Sequence, residues 1–296
     1  MKIPVFLPTS PRAPFLCKFA LCCAGVLSWG AGDAQAELLY ATNGTTIARF
    51  DTLQLATVTA VPLVGLQAGE TLVGIDVRPA TSLLFGIGST SRIYTVNPIT
   101  GVVTPVGSMG AFTLSGTAFG TDFNPNVDRI RQVSNTEQNL RLNPADGTLS
   151  GADTALSPGN IVGVAYTNNF PGATSTTLFG IDSAAGTLVN ITVPNSGGPI
   201  TTVGSLGLGT TLNENIGFDI SGGTGIAYAS ITTSGISRLY QINTATGAAT
   251  LQGAIGPGTV PYLGLAAATV PEPTSIGLLA IGVVGLLGRR TRRQTA

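Results

Sequence analysis

The chain has 296 residues, of which 40 are glycine, three are cysteine, none is histidine and only 9% are charged. Ser-His-Asp and Cys-His nucleophilic systems and zinc sites of His and Cys are therefore excluded in their usual forms. Between Glu37 and Ala268 there is no lysine, and seven arginines stand against twelve acids, a formal charge of −5. Such a body does not suit nucleic-acid phosphates, which need clustered basic residues.

In chain order, Lys2, Arg12 and Lys18 come first, and Phe19 to Leu27 is apolar. Ala34-Gln35-Ala36 then supplies a small-x-small cleavage site just before Glu37. The pattern predicts a signal peptide over residues 1–36, removed by signal peptidase; an apolar first helix of the fold is the other reading of these residues. Cys17, Cys22 and Cys23 all lie in this segment, and none follows the small residue that lipidation requires. A chain cut after Ala36 has neither disulfides nor thiolate metal sites.

The body, residues 37–268, is written as a repeat. Gly74 to Gly101 recurs without a gap at Gly120 to Gly147, an offset of 46 residues: Asp76 falls on Asp122, Pro79 on Pro125, and Asn97-Pro98 on Asn143-Pro144. Within one copy, Leu72–Val77, Leu83–Ile87, Arg92–Val96 and Val102–Val106 are rich in β-branched and aromatic residues and bounded by turn formers, which predicts four short antiparallel strands. The third turn, Asn97-Pro98-Ile99-Thr100-Gly101, pairs an Asn that closes an Asx turn with a Gly that accepts positive φ. Its markers Asp51, Asn97, Asn143, Asn195 and Asn243 are spaced 46, 46, 52 and 48 apart and define five units. The chain enters at Leu38–Ala41, which matches a second strand. The missing first strand stands at the far end, where Tyr262–Leu265 matches Leu72–Ile75. An all-β, five-bladed propeller with four strands per blade follows, its ring closed by a C-terminal strand that joins the N-terminal blade.

After Ala268 come Pro271-Glu272-Pro273, an apolar run from Ile276 to Leu287, and Arg289 to Arg293. A run of twelve residues is about 18 Å long as a helix, short of the roughly 20 residues of a permanent span. With arginines held cytoplasmic, it reads as a transient inner-membrane anchor. The arrangement resembles the PEP-CTERM sorting signal over residues 269–296. The resemblance implies recognition and tail removal by an exosortase, then delivery to the cell surface or extracellular matrix of an exopolysaccharide-forming Gram-negative bacterium. An unprocessed weak anchor is the alternative. The body is also similar to the domain of unknown function 4394 family, through Gly69-Glu70-Thr71-Leu72-Val73-Gly74-Ile75-Asp76, Leu114 to Gly120, Asp122-Phe123-Asn124-Pro125 and Gln138 to Pro144. That resemblance implies no particular chemistry.

Candidate site residues cluster in the second copy of the repeat. Asp128, Arg129, Arg131, Asn135, Asn139 and Arg141 stand there among positions that are apolar in the first copy, with Arg131 in place of Phe85 and Asn139 in place of Ile93. They form either an ion-paired network that fixes the blade or a ligand face for carboxylates and sugar hydroxyls. Asp122-x-Asn124-x-Asn126-x-Asp128 resembles the start of a calcium loop. It lacks the glycine after the fifth position, and Val133 stands where the bidentate acid belongs, so an Asx-held turn explains it equally. Asp76, Asp122 and Asp219 share one repeat position, occupied by Ala165 and Ala266 in the other units. They would ring one mouth of the channel, holding a cation or sugar, or cap the turns that follow. The function expected is a non-catalytic binding or structural module of the cell envelope or matrix, with exopolysaccharide or other surface proteins as partners. A polysaccharide hydrolase or lyase using acids such as Asp122 and Asp128 is the alternative.

Overall fold

The computed structural model describes residue 1, residues 36–209 and residues 211–268. Ala34 of the cleavage site, Pro271, Glu272 and Pro273 of the sorting motif, and the apolar run after them lie outside the described residues.

The body is five four-stranded antiparallel sheets. The first contains β1 (Leu38–Thr42), β2 (Thr46–Asp51) and β3 (Val58–Pro62). The second is β4 (Leu72–Arg78), β5 (Leu83–Gly88), β6 (Arg92–Val96) and β7 (Val103–Val106). The third is β8 (Phe119–Asn124), β9 (Arg129–Ser134), β10 (Asn139–Leu142) and β11 (Leu149–Ala152). The fourth is β12 (Ile161–Tyr166), β13 (Leu178–Asp182), β14 (Thr187–Ile191) and β15 (Ile200–Ser205). The fifth is β16 (Ile216–Ile220), β17 (Ala227–Thr233), β18 (Ile236–Ile242) and β19 (Ala249–Ala254). The last strand, β20 (Gly264–Ala267), returns to the first sheet and pairs with β1, Leu39 opposite Ala267 and Thr42 opposite Gly264. Leu263 N–H donates to Thr42 O at 2.7 Å and Ala268 N–H to Leu38 O at 2.8 Å, which extends the seam at both ends. Every inner strand (β20, β4, β8, β12, β16) packs on the next, so the ring is closed. The strands of the repeat agree with expectation to within a residue or so, and the five-bladed propeller is observed.

Burial grades outward from the axis. β12 and β16 are buried at every position, whereas β3 and β11 are mostly exposed. Apolar side chains fill the space between neighbouring sheets; Phe85, Ile87, Phe123, Ile130 and Leu142 make one such cluster between the second and third. The Asn turns work as read: Asn97 Oδ1 accepts the Ile99 and Thr100 amides at 2.9 and 3.1 Å, and Gly101 has φ +74°.

Close approach of the inner strands demands glycine. A Cβ on Gly217 would lie 2.6 Å from Leu265 N and 2.7 Å from Gly264 C, and one on Gly120 would lie 2.9 Å from Val164 N. These are backbone atoms of the neighbouring blade, so nothing can swing aside. Gly264, at the same repeat position, likewise meets Ile75 N at 2.9 Å, whereas Gly74 and Gly163 there face the side chains of Thr121 and Phe218.

Candidate functional site

Two residues after each of those glycines comes Asp76, Asp122, Ala165, Asp219 or Ala266. Strand alternation puts the two positions on one face, so these residues too are directed at the next blade. Asp76 accepts the amide of its own neighbour Val77 and that of Phe123 in the next sheet, both at 2.7 Å. Asp122 accepts the Tyr166 amide at 3.1 Å, again one sheet onward. Asp219 accepts the Ile220 amide and, across the seam, the Ala267 amide, both at 2.6 Å. Val77 and Ile220 follow the two alanine positions around the ring, so no preceding carboxylate reaches them and their own Asp does. Five equivalent amides are thereby satisfied by five carboxylate oxygens. Asp122 Oδ2, fully buried, is the one that no amide reaches, and it faces Asp219 instead.

All three carboxylates are at most 1% exposed, and none takes part in an ion pair among the described residues. Burial is the main force raising their pKa values. Asp76 is pushed up further by Asp219, and Asp122 by both Asp76 and Asp219. Asp219 is raised to about 6, its amide partners holding it down against burial. One oxygen from each lies within 4.8 Å of the others, a spacing compatible with a hard cation at about 2.4 Å from each. These are therefore the residues that could hold a metal. The contacts present are those of a stitch between blades, within the ring rather than at an open mouth.

The calcium-loop spacing does not become one cluster. Asn124 Oδ1 accepts the Asn126 and Val127 amides at 3.0 and 3.3 Å, closing an Asx turn. Asp128, at φ +52°, is gripped by Arg78 of the second sheet through Nε–Oδ1 at 2.8 Å and an Nη2–Oδ2 contact. Asp122 is enclosed and Asp128 is ion-paired, so the two do not stand as an acid pair at an open cleft.

The polar residues of the third sheet do meet, at a cavity of about 350 Å³ between the third and fourth sheets. Its floor is Arg131, 2% exposed. Arg131 Nε donates to Tyr166 Oη at 3.2 Å, Nη1 to Asn139 Oδ1 and Asp153 Oδ2 at 2.7 Å each, and Nη2 to Asn195 Oδ1 at 2.6 Å. Arg141 forks onto the same carboxylate, Nε to Asp153 Oδ2 at 2.7 Å and Nη2 to Oδ1 at 2.8 Å. Arg129, on the rim, donates among the described residues only to the carbonyls of Val127 and Asp128, at 3.4 and 2.8 Å. Asn124, Val127, Thr192, Val193 and Pro194 complete the lining. Asn139 braces the wall, donating to Thr154 O at 2.9 Å and Pro194 O at 2.7 Å. Asn135 is elsewhere, bound to Thr117 and Glu214.

The repeat explains how this polar site arose on an apolar plan. In the second sheet Phe85 packs edge-on against Phe123 of the next sheet, with ring centroids 5.3 Å apart. In the third, Arg131 stands at the Phe85 position and meets Tyr166 at the Phe123 position. Sequence reasoning found Arg129, Arg131 and Arg141 but missed the far wall, Tyr166 and Thr192–Asn195. Asn195 lies in the β14–β15 turn, as expected, and in addition accepts from Arg131. The longer spacing before Asn195 comes mostly from the β12–β13 connection, residues 167–177, which does not line the cavity, so it gave no signal for this wall.

The family model described as Domain of unknown function (DUF4394) matches residues 46–266. The chain belongs to this family. The PEP-CTERM protein-sorting motif matches residues 269–293, directly after the family body. The motif marks an exported, exosortase-sorted protein, sorted through its membrane-directed C-terminal tail. No curated protein matches the chain. Among solved structures, a protein of unknown function from Bacteroides caccae is 9% identical with TM-score 0.45, covering 80% of this chain and 100% of its own. A protein of unknown function from Bacteroides thetaiotaomicron VPI-5482 is 15% identical with TM-score 0.46, covering 74% and 58%. A putative 6-phosphogluconolactonase from Bacteroides uniformis ATCC 8492 is 14% identical with TM-score 0.36, covering 75% and 83%.

Proposed function

We propose that this family member is a non-catalytic propeller module of the cell surface or extracellular matrix that retains exopolysaccharide, as in a biofilm, at the cavity between the third and fourth sheets. Residues 1–36 direct export and leave by signal peptidase. The tail after Ala268 serves as a transient inner-membrane anchor until exosortase acts on it. The reading is carried by one observation. A buried guanidinium, held by four side-chain hydrogen bonds, forms the floor of an open cavity walled by amides and short apolar side chains. Such a lining is preorganised to bind polar groups and brings no free carboxylate pair to them.

Co-sedimentation of the purified protein with exopolysaccharide from the producing cells tests this. Retention with no release of reducing ends is expected, and Arg129→Ala should weaken it. Equal retention of wild type and variant removes the cavity from the account, and release of reducing ends makes the protein an enzyme.

A further inference from the structure

The charge inventory of the cavity goes further than the polysaccharide reading, on which the following rests. Arg129, Arg131 and Arg141 all line it, and Asp153 is the one carboxylate that any of them contacts among the described residues. Asp153 is 5% exposed and lies behind the arginines, its two oxygens consumed by Arg131 and Arg141. Among the described residues Arg129 donates only to backbone carbonyls, with Asp146 near enough to feel its charge, and no acid is part of the lining. Three guanidinium groups thus line a cavity with one carboxylate behind them, in a body whose formal charge is −5. Guanidinium groups with unused N–H donors facing a partly enclosed space favour a planar anion, because a carboxylate satisfies two parallel donors at once.

The rest of the cavity fits the ring that would carry such a group. Val127, Val193 and Pro194 present short apolar surface suited to the C–H face of a pyranose, and Asn124 offers an amide to its hydroxyls. The volume of about 350 Å³ is at the small end of the about 300–1,000 Å³ of ligand sites, which suits one or two sugar units. We infer that the cavity recognises a carboxylate-bearing sugar, a uronate unit of an acidic polysaccharide, with Arg129 and the outer edge of Arg141 meeting its carboxylate and Arg131 fixing the floor.

Titration calorimetry of the full-length protein with oligogalacturonate, its carboxyl-reduced neutral counterpart and polyglutamate tests this. Oligogalacturonate should bind and the neutral oligomer should not. Arg129→Gln, which breaks no ion pair, should lower affinity by about tenfold, the worth of one charge-assisted hydrogen bond. Raising ionic strength should weaken the wild type more than the variant. Equal binding of acidic and neutral oligomers overturns the carboxylate assignment while leaving the polysaccharide reading intact. Polyglutamate binding as tightly as the uronate overturns the sugar, and binding of no probe overturns this inference. Loss of retention on the producing cells' own polysaccharide, measured separately, is what overturns the broader reading.

Discussion

Asp219 is the carboxylate that secures the seam, and its removal should show how the ring is held. Asp219→Ala would leave the amides of Ile220 and Ala267, both buried, without acceptors. At about 1–3 kcal/mol for each orphaned buried amide, the loss is about 2–6 kcal/mol. Opposing it is relief from a buried charge. The wild-type carboxyl is raised from 3.8 to about 6, a difference of about 3 kcal/mol. A raised folded-state pKa gives stability that is full below 3.8 and lost as pH climbs through about 6. The wild type therefore gains from this group on acidification and the variant does not. Denaturant unfolding of both proteins at pH 4 and pH 7 should find the variant clearly less stable at pH 4, where the buried charge is absent. The gap should be wider at pH 4, by up to about 3 kcal/mol. A gap that narrows on acidification, or a variant as stable as wild type at pH 4, would refute the stitch.

Gly217→Ala sets a Cβ against the backbone of the closing strand and should cost about 1–3 kcal/mol or more, whereas Gly223→Ala, whose nearest neighbour is 3.7 Å away, should be nearly neutral by thermal unfolding. Asp122→Asn keeps the acceptor for Tyr166 and replaces Oδ2, which faces Asp219, with a neutral donor. It should raise the unfolding midpoint at pH 7 and leave it little changed at pH 4, and a midpoint that falls at pH 7 contradicts this. Arg131→Ala strips Tyr166, Asn139, Asp153 and Asn195 of a shared donor. A loss of about 3–5 kcal/mol is expected in denaturant unfolding, against almost none for Arg129→Ala.

The fold was legible because repetition multiplies a weak local signal. One Asn-Pro-x-x-Gly turn says little, but related Asn turns at a near-regular period, with three strands of a blade at one end and the missing strand at the other, leave few topologies. The position shared by Asp76, Asp122 and Asp219 was legible too, although not its use, since an acceptor's partner one sheet away has no mark in the local sequence. The Gly-x-Asp and Gly-x-Ala pairs were present five times and carried the packing rule, yet glycine is so frequent in turns here that its axial role is masked. The cavity was half visible. Its arginines stand out against an apolar template, whereas Tyr166 and Pro194 look ordinary until the ring places the fourth blade beside the third.

The hydrogen bond from Ala268 to Leu38 means that the propeller has no intrinsic beginning. A short linker could join these ends, with fresh termini cut at the exposed Pro98–Thr100 turn, and the rearranged chain should still assemble the same ring. Where the gene starts reading this circle is an accident of order along the chain, and any of its outer hairpins could serve as the point of attachment to a larger assembly.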